Sequence, residues 1–286
     1  MKTELSFSKF QGCGNDFIIV DETHGQKTPD LARSRLARSL TDRHFKVGAD
    51  GVIFIEKAKG TDGSMRLFEP AGNEADMCGN GIRCVASYLA DKLGRSELDI
   101  LTRDGIKHIR KVGAEFRVDM GKVRTKRRDL KEYVRDKGKD TDSMLRFPLA
   151  TASGRINASI VNSGEPHIVI RVRDVDSVDV AAIGEEVNAD KKRFPLGVNL
   201  NFVEVVGPHE IRIRTYERGV YDETLACGTG ATACAAVALL LKWVKRGTVR
   251  VRPPGGTIKI EMDEDGRAFM TGPAQCEFKG QLLAEL

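Results

Sequence analysis

The chain has 286 residues, of which 41% are hydrophobic and 30% charged, so it suits one large soluble domain or two of ordinary size. It holds no apolar run long enough to span a bilayer, and Met1-Lys2-Thr3-Glu4-Leu5-Ser6 has no apolar signal core, which sets the expectation of a cytoplasmic protein with reduced thiols. Much of the net charge of +5 lies in 122–139, around Lys126-Arg127-Arg128, but no nucleic-acid module accompanies it, so a solvated loop is expected there. Six cysteines without a Cys-x-x-Cys pair, in a chain with five histidines, argue against a structural zinc site.

In chain order, 7–20 reads as strand, turn and strand, with Gly12-Cys13-Gly14-Asn15-Asp16 as the turn. Residues 31–40 have helical spacing, with Leu31, Leu36, Ala37 and Leu40 on one side and Thr28-Pro29-Asp30 as the start signal. Strands are expected over 52–56 and 65–68, and a loop over 69–77 leads to Cys78. A helix-like run follows, then short strands over 98–102, 107–111 and 115–120. Near the end, 257–262, 268–271 and 275–283 read as strands.

The second half looks like the first. Gly14 to Val20 resembles Gly164 to Ile170 at an offset of 150, Gly48-Ala49-Asp50 resembles Gly197-Val198-Asn199 at 149, and Arg66-Leu67-Phe68-Glu69 resembles Arg214-Thr215-Tyr216-Glu217 at 148. Cys78 matches Cys227, again at 149. The reading is α/β (α+β), with two pseudo-symmetric halves, each a strand-rich sheet or barrel wrapped around a central helix. The N-terminal half is expected over 1–120, completed by a final strand at about 277–286, the C-terminal half over 121–276, and the active site in the cleft between them.

The repeated stretches carry the chemistry. Cys78-Gly79-Asn80-Gly81 and Cys227-Gly228-Thr229-Gly230 are each Cys-Gly-x-Gly followed at once by a helix-like run, and the second run, 235–241, is almost wholly apolar. A cysteine at a helix N-terminus meets unpaired backbone N–H groups and the positive dipole end, which favour a thiolate and an anionic ligand. Small buried packing cysteines are the bland alternative. It suits Cys84 and Cys234, which lie further into the helices, but not two equivalent helix starts; Cys13, in a glycine turn, and Cys276, in a late strand, carry no functional reading. Asn15 and Asn199 are expected in turns, where Asn is common for conformational reasons alone. His167 follows Pro166 at a strand start, and Glu217-Arg218 reads as a surface ion pair or as part of the site.

Together these stretches resemble the diaminopimelate epimerase family of pyridoxal-phosphate-independent amino-acid epimerases and racemases. The similarity begins at Lys9-Phe10-Gln11-Gly12-Cys13-Gly14-Asn15-Asp16-Phe17. It runs through Gly48-Ala49-Asp50, Met77 to Cys84, Gly164-Glu165-Pro166-His167, Gly197-Val198-Asn199, Tyr216-Glu217-Arg218-Gly219 and Ala226 to Gly230, and ends near Gly272-Pro273-Ala274. The resemblance implies an isomerase of lysine biosynthesis that inverts an amino-acid α-carbon, converting LL- to meso-diaminopimelate with no cofactor and no metal. It implies Cys78 and Cys227 as the two bases, with His167 and Glu217 setting their protonation. Asn15, Gly79, Asn80, Asn199, Glu217, Arg218, Gly228 and Thr229 match substrate contacts.

The chain departs from the family pattern at Gly51, Glu69 and Glu165, where Gln, Asn and Asn are common, and by one extra residue in Gly219-Val220-Tyr221-Asp222-Glu223-Thr224. Glu69 and Glu165 are therefore further candidate contacts, expected to bind the distal ammonium of diaminopimelate. The alternatives are a racemase of another, cationic amino acid and, more distantly, a thiol redox protein. The expected partner is a small-molecule amino acid, with no nucleic acid and no membrane; a homodimer is one option for the assembly.

Overall fold

The computed structural model describes residues 2–152 and 154–285. In chain order the elements are β1 (Lys2–Gly12), β2 (Asn15–Glu22), α1 (Asp30–Leu40), β3 (Gly51–Glu56), β4 (Gly63–Phe68), β5 (Glu74–Ala75), α2 (Gly79–Leu93), β6 (Glu97–Thr102), β7 (Gly105–Val112) and β8 (Glu115–Lys122). After a short 3-10 turn at Arg127–Asp129 come β9 (Phe147–Thr151), β10 (Gly154–Asn162), β11 (Pro166–Arg171), α3 (Val180–Ala189), β12 (Asn199–Gly207), β13 (Glu210–Glu217), β14 (Asp222–Thr224) and α4 (Gly228–Leu240). The chain ends in β15 (Val249–Arg252), β16 (Ile258–Met262), β17 (Arg267–Pro273) and β18 (Gln275–Glu285). This is an α+β fold of two compact units. One runs to Asp119 and takes up the chain again from Thr271; the other is Met120–Met270. Among the described residues no helix is long and apolar enough to cross a membrane.

In the first unit β1 and β2 form a hairpin whose two-residue turn, Cys13 and Gly14, has φ of 56° and 80°. Two successive positive φ values define the turn that matches strand twist, and a non-glycine residue accepts one of them here. β1 also pairs antiparallel with β18. β2 and β3 are parallel, with α1 as the crossover, and β4 and β6 are parallel, with α2 as the crossover. The strands are apolar on both faces because both faces are covered. Ile18, Val20, Val52 and Phe54 join Leu36, Ala37 and Leu40 of α1 in one cluster, while Ile53 turns the other way, toward Gly81 of α2.

The second unit repeats this order. β11 and β12 are parallel across α3, β13 and β15 are parallel across α4, and α4 packs on β10, β11, β12, β13, β15 and β16. Every residue of α4 from Gly228 to Ala238 is buried, as a helix apolar on nearly every side requires.

Strand register refines the repeat. Phe17 lies opposite Gly51 in β2–β3 as His167 lies opposite Asn199 in β11–β12, and Val52 lies opposite Phe68 as Leu200 lies opposite Tyr216. The counterpart of Asn199 is therefore Gly51, not Asp50. The first unit has one more residue between its turn glycine, Gly48 (φ 74°), and the strand than the second has after Gly197 (φ 74°).

Other expectations are corrected. Leu31 is 99% exposed; the buried face of α1 is Ala32, Arg33, Leu36, Ala37 and Leu40. Arg33 is admitted because its guanidinium binds Glu22 at 2.6 Å and lies over the Phe54 ring. The start signal Thr28-Pro29-Asp30 does stand at the head of α1, which begins at Asp30 with Pro29 as N-cap. Asn15 and Asn199 open β2 and β12 rather than lying in turns. The basic segment is not a solvated loop throughout, because Leu130 and Val134 are buried in the second unit's core and Arg127 binds Asp136.

Candidate active site

Each cysteine of the repeated motif is the N-cap of a central helix. Cys78 caps α2 with φ −133° and ψ 124°, and Cys227 caps α4 with φ −118° and ψ 115°. Their sulfurs do the work usually done by a Ser or Asp oxygen: Gly81 N–H donates to Cys78 Sγ at 3.5 Å and Gly230 N–H to Cys227 Sγ at 3.4 Å. Both sulfurs thus accept a hydrogen bond at the positive end of a helix dipole, which favours the thiolate form. Cys78 is half-buried and Cys227 buried. Cys84 and Cys234 lie fully buried in the helices, where burial pushes both thiols up and makes them inert.

The surroundings of the two sulfurs differ. In the first unit Asn15 Nδ2 donates to Asp50 Oδ2 at 2.8 Å. A carboxylate only accepts, so this contact fixes the amide with its oxygen toward Cys78 Sγ, at 3.7 Å. Asn80 Nδ2 donates to the same Asn15 oxygen at 3.3 Å. Asp50 is itself held by Arg43 at 2.6 Å. Burial works to raise the neighbouring Asp16 carboxyl, but hydrogen bonds from Arg43 and Lys9 outweigh it and pull it down to about 2.

Beneath Asn80 lies Arg83, fully buried. It donates to Asn80 Oδ1 at 2.9 Å, Gly79 O at 3.1 Å, Pro273 O at 3.1 Å and Cys13 Sγ at 3.7 Å. Cys13, without a role in the sequence reading, is thus part of the packing around this arginine. Burial raises its thiol and Arg83 opposes the rise.

In the second unit Cys227 Sγ lies 3.3 Å from Thr229 Oγ1, and Thr229 Oγ1 lies 3.0 Å from His167 Nε2. Burial, aided by the charge of Arg218, pushes the His167 imidazole down to about 3, so it is neutral at any working pH. Asn201 Nδ2 lies 3.1 Å from His167 Nδ1. Asn199 is engaged on both sides of its amide, donating to Pro166 O at 3.0 Å and accepting from Arg218 N–H at 2.7 Å. It thereby fixes the backbone from which the Arg218 side chain leaves.

Arg218 donates to Leu196 O at 3.3 Å, lies over the Tyr133 ring and pairs with the carboxylate of Glu165. Glu217 is half-buried at the end of β13, where its carbonyl accepts from Tyr221 N–H at 2.8 Å. Gly228 O accepts from Thr232 Oγ1 at 2.9 Å. Glu69 follows the end of β4, and its carboxylate accepts from Asn73 Nδ2 within a tight loop. The first unit therefore gathers Asn15, Gly79 and Asn80 around Cys78. The second gathers His167 and Thr229 around Cys227, and Asn199, Arg218 and Glu165 in a neighbouring cluster.

The diaminopimelate epimerase family model matches residues 7–126 and 159–277. A diaminopimelate epimerase of Methanocella arvoryzae is 38% identical, over 98% of this chain and 97% of its own. One of Synechocystis is 40% identical, over 97% and 98%. Among solved structures, a hydroxyproline epimerase of Agrobacterium vitis with bound trans-4-hydroxy-L-proline superposes with a TM-score of 0.68 at 15% identity, covering 98% of this chain and 92% of that one. A PhzF-family protein of Bacillus anthracis gives 0.68 at 16% identity, over 99% and 100%. These two likenesses are of fold. On the strength of the model match and the full-length relatives, the chain belongs to the diaminopimelate epimerase family.

Proposed function

We propose that the protein is a cytoplasmic diaminopimelate epimerase of lysine biosynthesis, in which Cys78 and Cys227 act as the two bases on opposite faces of one α-carbon. The observation that carries this reading is the pair of equivalent cysteine N-caps in a chain of this family. One thiolate removes the α-proton while the other thiol delivers a proton from the opposite side, so the stereocentre inverts with no electron sink in a cofactor. The difficulty is the carbanion that develops beside a carboxylate. Two helix N-termini supply N–H groups and dipoles that stabilise the growing negative charge.

The surroundings support unequal resting states. The Asn15 oxygen facing Cys78 suits a protonated sulfur, which can donate to it. Cys227 has Gly230 N–H and the Thr229 hydroxyl near its sulfur, both able to donate to a thiolate. Asn15 and Asn80 position the substrate near Cys78, and Arg218 serves as a cation for a carboxylate.

The test is Cys78→Ser and Cys227→Ser, assayed with LL- and meso-diaminopimelate. A serine hydroxyl is far too weak an acid to replace a thiolate, so each substitution should lower kcat by about 10²–10⁴ or more. Near-normal turnover in either mutant would refute the assignment.

A further inference from the structure

The two units build the same scaffold around their cysteines, yet they fill one place in it differently. Over the second glycine of the first motif lie Met65 and, at the strand position equivalent to Asn201, Ile53, whose Cδ1 would lie 3.2 Å from a Cβ at Gly81. In the second unit that place belongs to Asn201, whose Oδ1 would lie 2.6 Å from a Cβ at Gly230. His167, the strand partner of Asn199, occupies the place that Phe17, the strand partner of Gly51, holds in the first unit. One unit thus has a Phe–Ile pair where the other has a His–Asn pair, and all four side chains are buried. The scaffold does not need polar groups here, and burying them is costly unless each is hydrogen-bonded.

The hydrogen bonds form a chain with one direction. Asn201 Nδ2 lies 3.0 Å from Ile168 O, and a carbonyl only accepts, so the amide nitrogen must face it. Thr215 Oγ1 donates to Asn201 Oδ1 at 3.0 Å, which closes the other side of the amide. The same nitrogen, 3.1 Å from His167 Nδ1, therefore makes Nδ1 the acceptor. The neutral ring then carries its proton on Nε2 and donates to Thr229 Oγ1 at 3.0 Å. With its oxygen accepting from the ring, the Thr229 hydroxyl turns its own proton to Cys227 Sγ at 3.3 Å.

We infer that Asn201 is a positioning residue of the active site: it fixes the His167 tautomer and so turns the Thr229 hydroxyl into a donor to the Cys227 sulfur. The inference rests on the reading of Cys227 as a base and assigns a role to a residue outside the family motifs. It also gives His167 a role as a fixed hydrogen-bond donor that never takes up a proton during turnover.

The experiment has two arms. In the first, ¹⁵N NMR of histidine-labelled wild-type protein reads the His167 ring. The expected result is a bare Nδ1 and a protonated Nε2, unchanged from pH 6 to 9, roughly the range in which a cysteine thiol titrates. A proton on Nδ1 would overturn the inference. In the second arm, Asn201→Ile installs the residue used at the equivalent place in the first unit, and Asn201→Asp keeps the shape but replaces the donor with an acceptor. Both should lower kcat about tenfold or more with little change in KM, and should move the acid limb of kcat/KM up by about one pH unit, because the thiolate loses a donor. In Asn201→Asp the ring proton should appear on Nδ1.

Adding either substitution to Thr229→Val should have no further effect on the acid limb, since the link is already cut. Two variants that lose only yield or melting temperature, with the wild-type acid limb, would mean that Asn201 is merely structural. If a variant fails to fold, the wild-type tautomer still decides. Normal turnover in Cys227→Ser would remove the underlying reading while leaving the tautomer result standing, so the two failures are distinguishable.

Discussion

Gly230→Ala should be far more damaging than Gly81→Ala, although both change the same position of the same motif. A Cβ at Gly230 would lie 2.6 Å from Asn201 Oδ1, with Cys227 Cβ at 3.2 Å. An ordinary C···O approach is about 3.3 Å, so Asn201 must retreat by about 0.7 Å. Its amide is held by bonds of 3.0 Å to Ile168 O, 3.1 Å to His167 and 3.0 Å from Thr215. Breaking one or two of these in a buried site costs about 1–3 kcal/mol each, and the helix propensity of Ala returns only about 1 kcal/mol. The net loss is then about 0–5 kcal/mol, the upper end where two bonds break.

At Gly81 the nearest atoms are the flexible end of Met65, at 3.0 Å, and Ile53 Cδ1, at 3.2 Å. Those methyl groups can shift, and the propensity gain offsets the crowding to within about 1 kcal/mol. Urea unfolding measures both, with an unchanged slope licensing the comparison of midpoints. Equal midpoints for the two variants would refute the claim that Asn201 is clamped against α4.

Three further predictions concern the substrate, acid stability and chemistry. The wild type should turn over LL-diaminopimelate with a higher kcat/KM than lysine or ornithine, and Glu69→Asn with Glu165→Asn should raise the KM for diaminopimelate about tenfold through loss of a charge-assisted contact; better turnover of lysine or ornithine by the wild type would make the glutamates markers of a cationic substrate. Because the His167 imidazole is lowered from 6.5 to about 3 on folding, the unfolded chain takes up its proton first as pH falls, so stability should decline from about pH 6.5 toward 3, and from below 3.8 Asp16, lowered to about 2, should add to the loss. His167→Phe should remove the upper part of that decline in urea titrations, and an unchanged profile would contradict the burial argument. Activity should survive chelators and carbonyl reagents, and should be lost on thiol oxidation and regained with a reductant; inactivation by a chelator would point to a metal step.

The strands around the first motif were readable because a segment covered on both faces is a continuous apolar run, as in Phe17-Ile18-Ile19-Val20, and the helix starts because Cys-Gly-x-Gly precedes an apolar stretch. The crossover helix α3 was not, since Val180 to Ala189 holds only four buried residues, although Asp179 caps it by accepting from Ala182 N–H. Leu31 misled because apolar spacing alone cannot tell a buried face from its edge. Arg33 and Arg83 look like surface residues in sequence, and only their three-dimensional partners explain their burial. At the site, the repeat itself pointed to the two cysteines, whereas Asn15 and Thr229 became candidates only through the family resemblance. Asn201 carried no signal, because it lies in a strand whose neighbours Leu200 and Phe202 look like ordinary core, and its role depends on His167, 34 residues away. Gly51 became legible as the counterpart of Asn199 only from strand register.

The central claim is that two cysteines share the α-proton transfer, one on each face. The most direct measurement follows LL- and meso-diaminopimelate in deuterated water with wild type, Cys78→Ser and Cys227→Ser. In the first turnovers of the wild type, the inverted product should carry α-deuterium while the remaining substrate stays unlabelled, because the proton removed and the proton delivered come from different sulfurs. Each serine variant should lose inversion by at least about 10². Inversion that retains the original α-hydrogen, or inversion at the normal rate with either cysteine replaced, would contradict the account.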